Sequence, residues 1–282
     1  MTSWNGLAIA SLARASAALK ATLPELSLVY LQAAEKAAEF IKSNLYDTNT
    51  NILKRVFLEG PGDTDAFSDD YAFLISGLIE LYQATFNSEY LRWADSLQQT
   101  QIKLFWDDKA GGFFRTAPSE DVILRLKDDG DSAEPSANSI SSRNLLRLGS
   151  LMAERSYDEK AVMTCQAFSE ELEGQPWSFP SMLMSVSGCL DGMKEIVVVG
   201  KQNDEMTTKF LNEIWGRLLV NTVLIHLDPE KSDEWLLSKN EILQEALKIS
   251  SDGKPFVTIC EGYTCGLPIF NIDGLSEALG EK

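Results

Sequence analysis

Apolar residues recur every three or four positions along the first two thirds of the chain, a spacing that predicts one helix after another. The first helix is predicted to begin near Ser3 and to end before Pro24, and a second continues the pattern from Leu28. Further helices follow as far as about residue 189. Short turns such as Asn87-Ser88 separate the members of each pair, so we expect antiparallel αα-hairpins.

The predicted hairpins repeat along the chain. The first, third and fifth helices begin near Ser3, Asp69 and Ser136, so the pattern recurs about every 66 residues. Longer connections between hairpins hold short β-like runs over Ile52–Leu58 and Gly111–Arg115. Repeated hairpins with long connections on one side are typical of a toroid or a solenoid of helix pairs.

The last third of the chain has a different pattern. Short β-branched runs, typical of buried strands, alternate there with an amphipathic segment. The predicted elements are a strand over 194–200, a helix over 205–215, and strands over 222–227 and 255–260. We therefore divide the chain into a helical-hairpin region, residues 1–192, and an α/β segment, residues 193–282.

Charge and composition exclude several classes of function. The 282 residues hold 25 Lys and Arg against 42 Asp and Glu, a net charge of −17 that disfavours nucleic acid as a partner. No window has the apolar length of a membrane span, and the first residues lack the pattern of a signal peptide. We expect no membrane partner, and a cytoplasmic location if the chain is expressed as given.

Few residues are available for metal or redox chemistry. The chain has one histidine, His226, for which a structural or surface role is predicted. Cys260 and Cys265 allow a disulfide, although two reduced thiols are favoured. The acidic run over 127–131 does not complete a calcium loop, and a solvated loop is predicted there. The turn after the first long strand lacks G-x-G-x-x-G. We expect neither a metal nor a cofactor.

Polar and aromatic residues are dense where the odd-numbered helices begin. In a ring of hairpins these helices form the inner layer, and their N-termini meet at one mouth. Two carboxylates across such a mouth can act as general acid and base, while amides and aromatic faces bind a sugar. The predicted catalytic residues are Asp69, Asp70 and Glu134. The predicted substrate-binding residues are Trp4, Asn5, Tyr71, Ser136, Asn138 and Trp177.

Helix capping is the alternative interpretation of the same residues. Ser, Asp and Asn are common N-caps, and Pro135 and Pro180 stand where first-turn prolines are favoured. Capping explains Ser68, Asp69 and Ser178, but it does not explain the aromatic residues that recur beside them. Both interpretations stay open at this point.

Four ordered motifs resemble the C-terminal part of the spermatogenesis-associated protein 20 family. They are Thr2-Ser3-Trp4-Asn5-Gly6-Leu7, Asp69-Asp70-Tyr71-Ala72-Phe73, Ala133-Glu134-Pro135-Ser136-Ala137-Asn138-Ser139, and Cys260-x4-Cys265-x2-Pro268. The resemblance implies a mainly α fold, a partial (α/α)6 toroid of the six-hairpin glycosidase type. It also implies a link to carbohydrate metabolism and to fertility in animals, without a defined reaction. The family's thioredoxin-like domain is absent from this chain.

Three functional hypotheses follow. The first is a carbohydrate-active hydrolase or isomerase that uses its carboxylates, because the paired histidines of related sugar epimerases are missing. The second is a non-catalytic binding or scaffold module with a saccharide ligand. The third is a truncated isoform without independent activity, in which uncovered helix faces lead to self-association.

Overall fold

The computed structural model describes residues 1–128, 130–231, 233–249, 253–262 and 264–280. The helical part comes first and includes a two-stranded ribbon, β1 (Tyr46–Asp47) with β2 (Ile52–Leu53). Its helices are α1 (Thr2–Leu19), α2 (Pro24–Asn44), α3 (Ser68–Thr85), α4 (Ser88–Phe105), α5 (Ala137–Met152), α6 (Arg155–Gln166), α7 (Ser169–Gly174) and α8 (Pro180–Asp191). None of the described helices has the length and apolar content needed to cross a membrane.

The helices form two layers of hairpins. An inner row has α1 packed on α3, α3 on α5, and α5 on α8. The partners α2, α4 and α6 pack against α1, α3 and α5 from outside. Because α3 is covered from several sides, almost every one of its residues is buried, Tyr71 and Tyr82 included.

Two glycines set the distance between α1 and α3. A Cβ atom on Gly6 would lie 2.5 Å from the carbonyl carbon of Phe73, and one on Gly77 would lie 2.8 Å from the carbonyl oxygen of Gly6. The obstacle in both cases is backbone, which cannot turn aside as a flexible side chain can. Glycine is therefore required for the two helices to approach this closely.

The rest of the chain builds a small sheet with strand order β4-β3-β5-β6. Its elements are β3 (Lys194–Val199), α9 (Glu205–Trp215), β4 (Thr222–Leu227), α10 (Glu234–Lys239), α11 (Glu241–Ile249), β5 (Phe256–Glu261), β6 (Thr264–Cys265) and α12 (Ile272–Leu279). β3 runs parallel to β4 and antiparallel to β5. The connection through α9 makes β3, α9 and β4 a βαβ unit.

The side chains of β3 alternate between the two faces of the sheet, and one of these faces packs on the helices. Ile196 and Val198 point to one face, where they pack with Phe210 of α9. Val197 and Val199 point to the other face and belong to the hydrophobic cluster that also contains the inner helices. The change from helices to sheet falls between Asp191 and Lys194, and this cluster spans it.

The free edge of β4 lies against α3. The backbone N–H of Leu224 donates to the Gln83 side-chain oxygen at 2.8 Å, and the Trp215 indole donates to the Gln83 carbonyl at 3.2 Å. One glutamine therefore fixes both β4 and α9 to the end of the central inner helix.

The predicted fold class is confirmed: the chain is mainly helical, with a partial (α/α)6 arrangement of hairpins followed by a small α/β segment. Several details differ from the sequence-based expectation. The sixth predicted helix breaks at Phe168, whose ring is buried in a cluster with Met182. Helices α10, α11 and α12 were not predicted, and Cys260 and Cys265 form a disulfide where reduced thiols were favoured.

Candidate functional site at the inner-helix N-termini

Hydrogen bonds tie the starts of the inner helices together at one end of the molecule. The Ser3 backbone N–H, at the start of α1, donates to Asp70 of α3 at 2.9 Å. Gln101 donates from one amide nitrogen to the Ser68 carbonyl at 3.1 Å and to the Ser141 hydroxyl at 2.8 Å, which links α3 to α5. We call the N-termini of α1, α3, α5 and α8 the N-terminal mouth.

Asp131 joins the other two helices of the mouth. One of its carboxylate oxygens accepts from the Ser136 backbone N–H at 2.8 Å, beside the start of α5. The other accepts from the Ser181 backbone N–H at 2.7 Å, in the first turn of α8. Sequence reasoning placed Asp131 in a solvated acidic loop, and this expectation is wrong for Asp131; Asp129 of the same run lies outside the described residues. The sequence feature that points to this role is the position of Asp131 shortly before Pro135 and Ser136, where α5 begins.

Asp70 is fully buried, and both of its carboxylate oxygens have partners. Oδ1 accepts from the Ser3 N–H, and Oδ2 accepts from the Phe67 N–H at 2.9 Å and from Arg55 at 2.6 Å. Burial, with a smaller contribution from the charge of Asp69, raises the pKa of Asp70 to about 6. The carboxylate therefore closes the first turn of α3 and anchors α1 to it.

Asp69 faces the other side of the same guanidinium. Its two oxygens accept from Arg55 at 2.9 and 3.2 Å, and the side chain is 16% exposed. The Arg55 guanidinium also lies 4.5 Å from the centroid of the Phe67 ring. Of the two predicted catalytic aspartates, Asp69 is thus the one with an edge open to solvent.

Three of the predicted binding residues hold the backbone of the mouth. The Tyr71 hydroxyl accepts from the Leu53 N–H at 3.0 Å inside the core, where burial raises the pKa of Tyr71 to about 12. Ser136 caps α5 by accepting from the Ser139 N–H at 3.1 Å. Asn138 pairs with both the N–H and the carbonyl of Phe113, at 2.7 and 3.0 Å. All three side chains are buried.

The remaining predicted residues are exposed. Trp4 in the first turn of α1 is 60% exposed, and Trp177 just before α8 is 76% exposed. Asn5 and Glu134 are also exposed, and the Asn5 amide donates back to the Met1 carbonyl at 2.7 Å. The mouth therefore divides into a buried set that organises backbone and an exposed set whose surfaces are open to a ligand.

A second charged group lies farther along the inner helices, and sequence reasoning missed it. Glu80 of α3 is nearly buried, and one of its oxygens accepts from Arg14 of α1 at 2.6 Å and from Arg147 of α5 at 2.9 Å. Burial alone would raise the pKa of Glu80, but the charges of Arg147 and Arg14 outweigh it and lower that pKa. A glutamate inside an otherwise apolar helix was the available signal.

His226 lies beside a cavity of about 310 Å³ at the carboxyl ends of β3 and β4, with Tyr82, Phe86 and Asp228 in the same wall. Its Nε2 atom is 2.9 Å from the Gly200 carbonyl, and burial lowers the pKa of the ring. A second cavity, of about 240 Å³, lies around Tyr157. Neither cavity is lined by a predicted site residue, and no three His, Cys, Asp or Glu side chains group as a metal site among the described residues.

Comparison with known proteins places these features in a family. The chain is 36% identical to mouse spermatogenesis-associated protein 20 over 279 residues, and 33% identical to the human protein, covering 95% of this chain in each case. A Caenorhabditis elegans protein of uncharacterised function is 35% identical over 284 residues. Over these residues, the chain belongs to the spermatogenesis-associated protein 20 family. No protein-family model matches the chain.

The chain spans about a third of the length of these relatives, 34% of the mouse and human proteins. Solved structures give partial likenesses. A cellobiose 2-epimerase from Spirochaeta thermophila aligns over 88% of this chain and 59% of its own, at 15% identity and a TM-score of 0.47. A family 76 α-mannanase from Bacteroides thetaiotaomicron aligns over 77% and 56%, at 14% identity and a TM-score of 0.49. We draw nothing about function from likenesses at this level.

The motifs that resemble the spermatogenesis-associated protein 20 family have defined places in the structure. Three of them lie at the starts of α1, α3 and α5, where Gly6 and Asp70 join α1 to α3 and Asn138 binds the backbone of Phe113. The fourth contains the disulfide between Cys260 and Cys265, which joins β5 to β6. These family motifs therefore coincide with the points that hold the hairpins and the sheet in register.

Proposed function

We propose that this member of the spermatogenesis-associated protein 20 family serves carbohydrate metabolism by binding a saccharide at the N-terminal mouth. The observation that carries the proposal is the exposure of two tryptophans, Trp4 and Trp177, at the first and last inner helices. Indole faces stack on the apolar side of a sugar ring, and exposed tryptophans at element ends are available for this contact. A role in fertility, which the relatives' name suggests, is part of the same proposal.

Polar groups beside the tryptophans supply the hydrogen bonds that a sugar requires. Asp69 is held by Arg55 with its outer edge open, and Asn5 and Glu134 are exposed. A carboxylate fixed by a guanidinium loses little side-chain freedom when a hydroxyl binds to it. The mouth thus offers one fixed acceptor, Asp69, and two exposed polar side chains at the helix starts that also carry the tryptophans or neighbour them.

The contacts favour binding over turnover. A pair of catalytic carboxylates requires two groups that are free to exchange protons with the substrate. Asp70 is enclosed by Arg55 and two backbone N–H groups, and Asp69 shares the same guanidinium. Of the three residues predicted to be catalytic, only Glu134 has a carboxylate that is not engaged in this way. The pair that catalysis requires is therefore missing from this set.

The test is a saccharide panel applied to the purified chain by calorimetry, together with product analysis by chromatography. We expect one class of sugar to bind, and Trp4→Ala and Trp177→Ala each to weaken it about tenfold, or ~1.4 kcal/mol. Trp235→Ala is the matched control, because Trp235 lies outside the mouth. Absence of saturable binding by any sugar, or equal binding by all four proteins, would contradict the proposal.

Turnover would show that the catalytic hypothesis is right instead. Product formed by the wild-type chain, and lost in both Asp69→Asn and Glu134→Gln with binding retained, would assign the two carboxylates as a catalytic pair. We expect no product from any of the three proteins.

A second candidate function, a scaffold that self-associates, has its own supporting observation. Large apolar side chains are exposed on α2, which packs outside the first inner helix, and on α8, the last inner helix. They are Leu28, Val29 and Phe40 on α2, and Leu183, Met184 and Leu190 on α8. A second copy of the chain could cover α2 with α8, which would bury both faces.

Light scattering after gel filtration tests the self-association. We expect a concentration-dependent increase in mass, and its loss in Leu28→Glu and in Leu190→Glu. Leu218→Glu, at an exposed leucine outside both helices, is the control. A mass equal to one chain at all concentrations would contradict this candidate function.

A further inference from the structure

The cluster around Glu80 contains more positive charge than the structure neutralises. Arg14 and Arg147 share one oxygen of Glu80, and Arg143 stands one helical turn before Arg147 on α5. Two guanidinium groups therefore contact a single carboxylate and a third stands one turn away, in a protein whose net charge is −17. Arg143 makes no ion pair with any residue that the structure describes.

The cluster also reaches an accessible face of the inner helices. Along α3 the residues that are not fully covered are Asp69, Ser76, Gln83 and Thr85. The first three are each seven positions from the next, so they form one line along the helix. On α5 only Ile140 and Arg143 are partly exposed, one turn apart. Because Gln83 is bonded to β4, we call the surface formed by Asp69, Ser76, Ile140 and Arg143 the open face.

Arg143 is the member of the cluster that lacks compensation. Burial and the neighbouring charges of Arg147 and Arg14 lower its pKa to about 10, which means that its charged form is disfavoured where it stands. Arg14, by contrast, is 67% exposed and bonded to Glu80, and Arg147 is buried against the same carboxylate. An anion that binds near Arg143 would therefore stabilise its charged form more than it would stabilise an arginine that already has a carboxylate partner.

We propose that Arg143 and Arg14, positioned by Glu80 and Arg147, form a binding site for a small oxyanion, the phosphate or carboxylate group of a metabolite. A guanidinium presents two parallel N–H donors that match the oxygens of either group. The hydroxyl of Ser76, one turn before Glu80 on the open face, supplies a further donor. Glu80 already pairs with Arg14 and Arg147, so Arg143 is the arginine left for the ligand.

The site is separate from the N-terminal mouth. Glu80 stands eleven positions after Asp69 on α3, which is about 16 Å along the helix. The proposal therefore does not depend on saccharide binding at the mouth, and either one can fail while the other holds.

The experiment measures binding of inorganic phosphate and of acetate to the purified chain at low ionic strength, by calorimetry and by the shift in unfolding temperature. We expect saturable phosphate binding and an unfolding temperature that rises with phosphate concentration. Arg143→Gln should weaken the binding at least tenfold and remove the shift. Arg143→Lys, which keeps the charge without the paired donors, should be intermediate.

Arg115→Gln is the matched control, because Arg115 is an exposed arginine on a loop outside the cluster, and it should bind phosphate as the wild type does. Without anion, we expect the unfolding temperature of Arg143→Gln to equal or exceed that of the wild type, since an uncompensated charge has been removed. Acetate binding in place of phosphate would assign the site to carboxylates. No saturable binding of either ion, equal binding by Arg143→Gln, or a lower unfolding temperature of that variant without anion would overturn the proposal.

Discussion

The N-terminal mouth and the arginine cluster lie on the same inner helices, yet their charged groups have opposite surroundings. At the mouth, the acceptors that join the helices have donors: Asp70 binds two backbone N–H groups and Arg55, and Asp131 binds the starts of two helices. In the cluster, Arg14 and Arg147 share one glutamate, and Arg143 beside them has no ion pair in the described part of the chain.

The contrast teaches that the density of polar residues does not locate a reactive site by itself. Helix starts require acceptors for their free N–H groups, so polar residues collect there for structural reasons. A helix interior has no such requirement, and a charged residue buried there needs another explanation. The more informative groups are therefore Glu80 and Arg143, which stand inside helices, rather than Asp70 and Ser136, which stand at their starts.

The largest effect is expected when Glu80 is removed. Glu80→Ala leaves Arg14 and Arg147 facing each other without the carboxylate, and we expect a loss of about 4 kcal/mol in the free energy of unfolding. Urea denaturation measures the loss. If the cluster binds oxyanions, phosphate should restore more stability to this variant than it adds to the wild type; equal phosphate effects on both would contradict the contrast drawn above.

Asp70→Ala tests the mouth in the same way. The substitution leaves two backbone N–H groups without acceptors and frees part of Arg55, so we expect a loss of about 3 kcal/mol. Asp69→Ala is the control, with an expected loss of about 1 kcal/mol, because Asp69 binds Arg55 alone and at a partly exposed position. Denaturation curves that gave the two variants equal stability would disprove the structural role assigned to Asp70.

Asn138 and Asn5 allow a comparison between a buried and an exposed residue of the mouth, with smaller expected effects on stability. Asn138→Ala removes two hydrogen bonds to Phe113 inside the protein, and we expect a loss of about 2 kcal/mol. Asn5→Ala removes an exposed contact with Met1, and we expect a change within about 0.5 kcal/mol. Thermal unfolding of both variants gives the comparison, and a strongly destabilised Asn5→Ala would show that the exposed set of the mouth is structural as well.

The smallest effect concerns Glu195, a buried carboxylate outside both regions. It accepts from Ser150 at 3.1 Å, and burial raises its pKa to about 7. Because the folded chain then holds this proton more tightly than the unfolded chain does, its contribution to stability decreases as pH rises from about 4.5 through 7. Glu195→Gln should be the more stable protein at pH 8 and should lose that advantage toward pH 5. A stability difference that did not vary with pH would rule out this titration.

Much of the fold could be predicted from periodicity. The helical spacing after Ser3, the recurrence near Asp69 and Ser136, and the β-branched run at 194–200 each correspond to an observed element. The break at Phe168 could not be foreseen, because it depends on where the ring finds a pocket beside Met182. The short helices α10 and α11 could have been predicted, because Asp233 and Asn240 stand as caps at their starts and Leu243 and Ala246 recur at helical spacing in α11.

For the site, the sequence identified the helix starts but could not separate their roles. Whether an acidic residue caps its own helix or faces a ligand depends on the neighbouring element, here Arg55 for Asp70 and the first turn of α8 for Asp131. The arginine cluster unites residues from three helices, so the local pattern indicates Glu80 inside an apolar helix but not the arginines that bind it. Its members lie more than 60 residues apart along the chain, in Arg14, Glu80 and Arg147.

The bond between Gln83 and Leu224 has a consequence for how the chain unfolds. Amides on an edge strand normally exchange with solvent through local fraying, since nothing holds their outer side. Here the outer N–H of Leu224 is bonded to the central helix of the hairpins, so it opens only when β4 leaves α3. Hydrogen exchange at Leu224 should therefore be as slow as in the core, and the sheet and the hairpins should unfold as one cooperative unit.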